Sequence, residues 1–286
     1  MEDFRFSEDI ELVKELLNMS YRDLAERIGV DPVTISRWKG GDYAPSSASQ
    51  MAFYDFAFRE GVRLNDIKAQ LHKEQLGAAG LIPLFHGAKR EIAGPLSLAH
   101  SRPANDFGCG FYCGESLEQS AMFVSGYPAS SVYIFSFNPA GLSSRTYRVD
   151  RDWMLSIGWF RGKLSAYAEH EKIAALREQL DGIDYLVAPI ADNRMFEILN
   201  QFMDGEITDV QCQHCLSATN LGNQYVLLTE RALAQTSCVE RCFLSDEEKS
   251  AYVRERQRGA SVGADKVRIA RRQFRGQGLY IDEVLS

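Results

Sequence analysis

The sequence predicts a multidomain protein in which an all-α domain precedes an α+β domain. The chain has 286 residues, more than the roughly 100–200 residues of a typical single domain. Residues 1–75 show apolar residues at helical spacing, whereas strand-like patterns begin at residue 81. Between them, residues 76–80 are mostly glycine and alanine and are predicted to be a linker.

Composition and charge restrict the class of protein further. Hydrophobic residues make up 45% and charged residues 25% of the chain, which is typical of globular proteins and excludes a disordered or fibrous chain. The sequence shows neither an apolar run of about 18 residues nor a signal-peptide pattern. We therefore expect a cytoplasmic protein whose cysteines are free thiols. The net charge of −7 argues against nucleic-acid binding through overall charge alone.

Two short predicted helices in the first domain are joined by a tight turn, which is the helix-turn-helix pattern. Ser20 is expected to cap the first of them and Gly29 to end it in the left-handed conformation. Asp31 is expected to cap the second, with Pro32 in its first turn. Flanking helices are predicted at Ile10–Leu17 and Ser46–Glu60.

This pattern resembles the λ-repressor-like regulators of phages and plasmids over residues 8–65. The residues that carry the resemblance are Leu24-Ala25, Ile28-Gly29, Ile35, Trp38 and Pro45-Ser46. It implies that helix Asp31–Trp38 enters the major groove of DNA. The candidate DNA contacts are Val33, Thr34, Ser36 and Arg37 on that helix and Arg22 on the preceding one. The alternative is a helical bundle that contacts protein, which the net charge of −4 over residues 1–75 favours.

The region after the linker alternates strand-like and helix-like segments, which is typical of an α+β domain. Apolar runs predict strands at Leu81–Phe85, Ser131–Phe137, Ile183–Ile190 and Gln224–Leu228. Helical spacing predicts helices at Leu117–Phe123, His170–Leu180 and Met195–Met203. This domain is predicted to cover residues 81–235, and a basic helical C-terminal extension covers residues 236–286.

Three short motifs in the second domain combine glycine, aromatic and polar residues. His86-Gly87-Ala88 ends the first predicted strand, and residues 105–113 read Asn-Asp-Phe-Gly-Cys-Gly-Phe-Tyr-Cys. The third motif is a polar turn from Gly222 that enters an apolar strand at Gln224. Each motif alone is common in turns, so their order along the chain is the informative feature.

That order resembles the ADP-ribosyltransferase superfamily, in the branch that includes diphtheria toxin and the poly(ADP-ribose) polymerases. In that branch a His-Gly ends the first strand, Gly-x-Gly-aromatic-Tyr follows, and Glu-Tyr lies on a late strand. The segments Pro103–Tyr112, Ala188–Asn193 and Asn223–Tyr225 are also similar to a bacterial family of uncharacterised transferase-like domains. The resemblance covers about residues 80–235 and implies an ADP-ribosyltransferase-like domain with a split antiparallel sheet.

The resemblance also implies that NAD is the substrate. His86 would hydrogen-bond a ribose hydroxyl, and the Gly87 backbone would pair with the nicotinamide carboxamide. Tyr112 would stack on the nicotinamide ring. The resemblance thus gives three candidate catalytic residues, His86, Tyr112 and Gln224. The other candidate NAD-binding residues are Ala88, Asn105, Asp106, Phe107, Gly110 and Asp192.

Two residues depart from the superfamily pattern. Ala88 stands where threonine or serine is frequent, and Gln224 replaces the catalytic glutamate. Glutamine accepts a hydrogen bond but supplies no charge, and such preorganised electrostatics are worth about 3 kcal/mol. The replacement therefore predicts single transfer or slow NAD hydrolysis rather than polymer synthesis. Asp192 and Glu230 are candidates for the missing carboxylate.

The resemblance implies a mono-ADP-ribosyltransferase that modifies a protein or nucleic-acid acceptor, as a toxin-like or phage-defence effector with a DNA-binding domain. The alternative is a transcriptional regulator whose degenerate transferase domain binds NAD or ADP-ribose without catalysis. The acceptor, an inhibitor protein and a homodimer stay open as partners.

Two further features have competing interpretations. Cys212 and Cys215, with Cys238 and Cys242, have spacing that suits zinc, but buried small side chains are the favoured interpretation and no metal is expected. Residues 249–275 contain nine basic and two acidic side chains. They are predicted either to bind phosphates, an RNA substrate or an acidic inhibitor protein, or to form a solvated helix with Val267 and Phe274 packed on the domain.

Overall fold

The computed structural model describes residues 4–218 and 222–286. The chain divides into two compact units. The first unit comprises the chain up to Gly94, Ser116–Asn138 and Ser237–Arg256. The second comprises Pro95–Glu115, Pro139–Thr236 and Gln257–Ser286. The domain limits expected from the sequence stay predictions, because this division follows compactness rather than position along the chain.

Helices and strands follow one another in a defined order along the chain. The helices are α1 (Phe6–Leu16), α2 (Tyr21–Ile28), α3 (Pro32–Gly40), α4 (Ser47–Arg59), α5 (Leu64–Ala78), α6 (Leu117–Val124), α7 (Arg151–Phe160), α8 (Glu171–Glu178), α9 (Asn193–Met203), α10 (Asp209–Ser217), α11 (Glu230–Ala234), α12 (Asp246–Gln273) and α13 (Ile281–Val284). The strands are β1 (Ile82–Ala88), β2 (Phe111–Gly114), β3 (Ser131–Phe137), β4 (Ser144–Thr146), β5 (Tyr185–Pro189), β6 (Asn223–Leu227) and β7 (Thr236–Phe243). None of the helices within the described ranges combines the length and apolar character needed to cross a bilayer.

The predicted helix-end signals of the N-terminal region are confirmed. Ser20 accepts a hydrogen bond from the backbone N–H of Asp23, whose carboxylate accepts one from the Ser20 N–H, so both arms of the capping box form. Gly29 ends α2 with φ of 74°, in the left-handed region. The Asp31 side chain accepts from the Val33 N–H at the start of α3. These ends place α2 and α3 around a shared apolar core with α1 and α4.

Helix α5 replaces most of the predicted linker. The helix continues through Ala78, and Gly80 with φ of 71° then turns the chain towards β1. Two of the four residues that α5 buries are polar, Asn65 and Lys68. A periodic pattern of apolar residues is therefore weak in this segment, which explains why the sequence did not predict the helix.

Three strands and a covering helix complete the first unit. Its three strands have the order β1-β3-β7, and β1 pairs with β3 from Ile82↔Phe137 to Ala88↔Ser131. A core that includes Phe85, Ile134 and Leu117 lies between these strands and α6. The region expected to be a helical extension thus begins with a strand, β7, rather than with a helix.

The second unit has four strands in the order β4-β5-β6-β2. Strand β6 is antiparallel to both β2 and β5, but β4 and β5 are parallel, with Ser144 opposite Tyr185. The expectation of an antiparallel sheet is therefore wrong for this pair. Helices α7 and α8 lie between the two strands in sequence, and such a helical crossover allows parallel pairing. The chain therefore combines an N-terminal helical region with a mixed α/β region.

The end of the chain packs into the second unit. The last turns of α12 contact the apolar core of that unit through Val267 and Ala270, and Phe274 does so just after the helix ends. Helix α13 contacts the same core through Ile281 and Val284. The one-turn helix α13 thus ends the basic C-terminal extension against this core.

Candidate functional site

The candidate NAD-binding residues are divided between the two units. His86, Gly87 and Ala88 end strand β1 in the first unit. The other candidates belong to the second unit: Asn105, Asp106, Phe107, Gly110, Tyr112, Asp192 and Gln224.

Glycine at position 87 has a packing role in the first unit. A Cβ atom there would lie 2.2 Å from the carbonyl oxygen of Ser120 in α6, which is too close for any other residue. The Ser120 hydroxyl in turn donates to the carbonyl oxygen of Phe85 at 2.9 Å. The close contact of β1 with α6 thus requires a glycine in the His-Gly motif, independently of any ligand. Next to it, Ala88 is buried and His86 is half-buried.

In the second unit, the loop before β2 is closed by side-chain hydrogen bonds. The Ser101 hydroxyl accepts from the Gly110 N–H at 2.9 Å and from Asn105 Nδ2 at 3.2 Å. The Tyr112 hydroxyl accepts from the Phe107 N–H at 3.1 Å and donates to the Gly108 carbonyl at 2.8 Å. Tyr112 therefore holds the loop in place.

The electrostatic environment keeps the Tyr112 hydroxyl neutral. Burial raises its pKa far above the ordinary value of 10, and the nearby Asp106 charge raises it further. The phenol is consequently a hydrogen-bonding group at neutral pH and not a general base.

Strand pairing places Gln224 on the same face of the sheet as Tyr112. Tyr112 lies opposite Val226 and Gly114 lies opposite Gln224, and residues two apart in a strand share a face. Gln224 is only 7% exposed. Its Nε2 donates to Asp106 Oδ2 at 2.9 Å and to the Pro189 carbonyl at 3.3 Å. With both N–H groups used, the amide oxygen is the group left to accept a further hydrogen bond.

Arg161, which the sequence analysis did not single out, holds this arrangement together. It follows α7, and its Nε donates to Asp106 Oδ1 at 2.8 Å, with Nη2 donating to the same oxygen. Nη2 also donates to the Ala191 carbonyl at 2.9 Å, and the guanidinium lies 4.0 Å from the centre of the Phe196 ring. One arginine thus links the loop before β2, the segment after β5 and, through Asp106, Gln224. An arginine at the end of a helix is common, so the sequence carries no signal for this role.

Neither of the carboxylates suggested as replacements for the missing glutamate hydrogen-bonds Gln224 within the described ranges. Asp192 caps α9, accepting from the Met195 N–H at 2.9 Å, and lies 3.6 Å from Arg194 Nε. Glu230 is exposed in the first turn of α11. The carboxylate that contacts Gln224 is instead Asp106, which the sequence analysis placed among the NAD-binding residues.

The candidate DNA contacts lie on one side of the helix-turn-helix. Val33, Ser36 and Arg37 are exposed on α3, and Thr34 is half-buried. Ile35 and Trp38 on the opposite side are buried, and Arg22 is exposed at the start of α2. The recognition helix therefore presents the predicted side chains to solvent.

The cysteines that suggested zinc lie in separate units. Cys212 and Cys215 are buried in α10 of the second unit, where their thiols contact the backbone carbonyls of Ile198 and Val267. Cys238 and Cys242 belong to β7 in the first unit. Over the part of the chain that the structure describes, no three His, Cys, Asp or Glu side chains are grouped to hold a metal ion.

Comparison with protein families gives two matches. Residues 82–237, more than half of the chain, match the model of a family described as a protein of unknown function, DUF3990. Residues 10–48 match a helix-turn-helix model. No curated protein and no solved structure gave a significant match. The N-terminal match agrees with the helix-turn-helix pattern and with the DNA-binding role of that motif.

Proposed function

The chain belongs to the DUF3990 family of proteins of unknown function, and from its own residues we propose that it is a NAD-dependent mono-ADP-ribosyltransferase. The acceptor is a protein or a nucleic acid, and the N-terminal helix-turn-helix directs the protein to DNA. Such a pairing suits a toxin-like or phage-defence effector. The motifs that resemble the transferase superfamily cover the same part of the chain as the family match, residues 82–237.

The orientation of the Gln224 amide is the observation that carries this proposal. Its Nε2 donates to Asp106 and to the Pro189 carbonyl, so Oε1 remains as the acceptor. In the ADP-ribosyltransferase superfamily, which the motifs of this domain resemble, the residue at the position of Gln224 accepts a hydrogen bond from the 2′-hydroxyl of the nicotinamide ribose. An amide with its N–H groups occupied is suited to that role, because it offers the hydroxyl only an acceptor.

The reaction replaces one bond to the ribose by another. The bond between ribose C1′ and the nicotinamide nitrogen breaks, and its electron pair leaves with nicotinamide. The acceptor nucleophile forms the new bond to C1′ and loses its proton to solvent. Gln224 orients the ribose but adds no negative charge beside the positive transition state. We therefore expect slow turnover, since a preorganised charge of this kind is worth about 3 kcal/mol.

Nicotinamide release and label transfer from labelled NAD test the proposal with the full-length chain. We expect both from the unmodified protein, and a loss of at least tenfold in Gln224→Ala, corresponding to about 1.4 kcal/mol of transition-state stabilisation. The matched control is Gln70→Ala, which removes an exposed amide that contacts Glu74 in α5. Unchanged turnover in Gln224→Ala with an unchanged thermal melt would contradict the role given to this amide.

A second candidate function follows from the charge of the same cluster. Arg161 neutralises the carboxylate beside Gln224, which favours a site that binds NAD or ADP-ribose without breaking it. The chain would then be a transcriptional regulator that senses the ligand. Saturable binding of labelled ADP-ribose without nicotinamide release, and no growth arrest on induced expression, would support the regulator over the enzyme.

DNA binding is tested by a mobility-shift assay against fragments selected from a random duplex library. Arg37→Ala is expected to weaken binding by about 1–3 kcal/mol if the side chain contacts a guanine. Arg27→Ala is the matched control, because Arg27 is exposed on α2 but was not predicted to contact DNA. Equal binding by both variants would exclude Arg37 from the interface.

A further inference from the structure

The end of α12 has a fixed orientation in the second unit. Val267, Ala270 and Phe274, which are three or four residues apart, pack into the apolar core. The helix backbone is held as well, since Gln211 Nε2 donates to the Arg271 carbonyl at 2.5 Å. A helix anchored in this way must present its opposite side to solvent.

Four exposed arginines are referred to as the arginine face: Arg268, Arg271 and Arg272 in the last turns of α12, and Arg275 in the turn that follows the helix. Arg268 precedes Arg271 and Arg272 by three and four residues, which places these three on neighbouring positions of one helix surface. Arg275 follows two residues after the helix ends at Gln273. Asp265, which pairs with Arg268 at 2.9 Å, is the one acidic residue between positions 256 and 281. Arg272 and Arg275 form no ion pair or side-chain hydrogen bond with the described parts of the chain.

We propose that the arginine face binds the phosphate backbone of double-stranded DNA. A guanidinium group matches a phosphate through paired hydrogen bonds, and arginine suits such contacts better than lysine does. A row of arginines therefore fits a continuous row of phosphates. The same four side chains contribute nothing to the apolar core, so packing does not explain why they are arginines.

The charge of the N-terminal region supports this choice of partner. Residues 1–75 contain the helix-turn-helix and have a net charge of −4, although phosphate neutralisation supplies much of the affinity of proteins for DNA. Residues 236–286 have a net charge of +2, and the arginine face concentrates that charge. This inference goes beyond the transferase chemistry, and it rests on the proposed binding of DNA by the chain.

Fluorescence anisotropy of the full-length protein with a labelled mixed-sequence duplex tests the inference over a range of salt concentrations. The double variant Arg272→Gln/Arg275→Gln, called the α12 variant, removes two charges without placing acidic groups at the end of the helix. The matched control is Arg148→Gln with Lys163→Gln, which removes two exposed charges of the same unit outside α12.

We expect the α12 variant to bind DNA roughly 10- to 100-fold more weakly near 0.1 M salt. The slope of log Kobs against log salt concentration should decrease by about 1.8, or 0.9 for each lost phosphate contact. The control variant should retain both affinity and slope, and NAD turnover should be unchanged in both variants. Unchanged affinity and slope in the α12 variant would overturn the inference, as would equal weakening by the control.

Two further comparisons separate this inference from the others. If Arg37→Ala weakens binding and the α12 variant does not, the helix-turn-helix binds DNA and the arginine face does not. If the unmodified chain binds no duplex at low salt, DNA binding itself fails, and this inference fails with it. Weakened binding of polyglutamate but not of DNA would assign the arginine face to an acidic protein and overturn the inference.

Discussion

Both units of the molecule bury carboxylates, but they neutralise them in different ways. In the first unit, Lys68 Nζ lies 2.6 Å from Asp9 Oδ1 and 3.1 Å from Glu240 Oε1, and all three side chains are less than 10% exposed. In the second unit, Arg161 pairs with one oxygen of Asp106, and the other oxygen accepts from Gln224. The first network joins two carboxylates through Lys68, with Arg5 also beside Glu240, whereas the second includes a neutral amide.

The network of the first unit has its acceptors occupied by protein groups. The Tyr54 hydroxyl donates to Asp9 Oδ2 at 2.6 Å, and His72 and Arg5 lie 3.4 Å from Glu240 Oε2. Burial by itself would lower the pKa of Lys68, but the charges of Asp9 and Glu240 raise it, so the lysine stays protonated. A saturated network of this kind links α1, α5 and β7 and serves the fold.

In the network of the second unit, the Gln224 amide oxygen accepts no hydrogen bond from the residues that the structure describes. This comparison shows why burial of charge alone does not identify a functional site. The informative feature is an oriented polar atom whose neighbours have left it available, at a position where a sequence motif independently predicts a ligand.

Removing the cation from the saturated network should have the largest effect. Lys68→Met leaves the buried Asp9 carboxylate without its cation, although Arg5 remains beside Glu240, and we expect the free energy of unfolding to fall by about 3–5 kcal/mol. Urea unfolding followed by circular dichroism measures this loss. Lys73→Met, at an exposed position of the same helix, should change stability by less than about 0.5 kcal/mol. A similarly small loss for Lys68→Met would show that the network is not needed.

Glu248 is a buried carboxylate that forms no ion pair within the described ranges of the chain. Asn65 Nδ2 donates to both of its oxygens, at 3.1 and 2.9 Å. Burial raises the pKa of Glu248 from its ordinary 4.5 to about 7. Because the folded protein favours the uncharged form, the stability that Glu248 contributes is complete below pH 4.5 and is lost as the pH rises to about 7.

Glu248→Gln should remove this pH dependence. An uncharged side chain at this position cannot ionise, and its amide can donate to Asn65 Oδ1, which is buried without a partner among the described groups. Relative to the unmodified protein, the variant should gain about 3 kcal/mol between pH 4.5 and 7, from roughly 1.4 kcal/mol for each pKa unit. Unfolding at several pH values measures this gain. Glu247→Gln, at a more exposed position, should show no such gain. If the pH profiles of unfolding free energy for Glu248→Gln and the unmodified protein run parallel, the raised pKa of Glu248 is refuted.

The effect of Arg161 on stability should be smaller, because its side chain is 19% exposed. Arg161→Met is expected to cost about 1–3 kcal/mol, since Asp106 keeps partial access to water and the hydrogen bond from Gln224. Arg161→Lys should restore the charge but not the paired hydrogen bonds, and so should recover only part of the loss. If Gln224 is oriented through Asp106, NAD turnover should fall in both variants by more than in Arg148→Met. Loss of stability without this change in turnover would limit Arg161 to a structural role.

Local features of this protein were predictable because their causes lie within a few residues. The cap at Ser20, the left-handed Gly29 and the start of α3 at Asp31 all depend on atoms no more than one helical turn away. Strand β3 was predicted over Ser131–Phe137 and has those bounds. The run is almost continuously apolar and its side chains are buried on both faces, which is a local signal for a buried strand. Helix α5 was not predicted, because polar residues occupy buried positions that a sequence pattern assigns to solvent.

For the candidate site, the residue types could be predicted from sequence motifs, whereas their hydrogen-bond partners depend on the fold. Asp106, Tyr112 and Gln224 could each be selected from short motifs, but the hydrogen bond that joins Asp106 to Gln224 spans 118 positions of the chain. The pairing with Arg161 spans 55 positions and follows an ordinary helix end. Such contacts depend on strand register and helix packing, which are set by the burial of the whole chain rather than by neighbouring residues. Only the folded structure could therefore establish that the Gln224 N–H groups are occupied and its amide oxygen is left to accept a hydrogen bond.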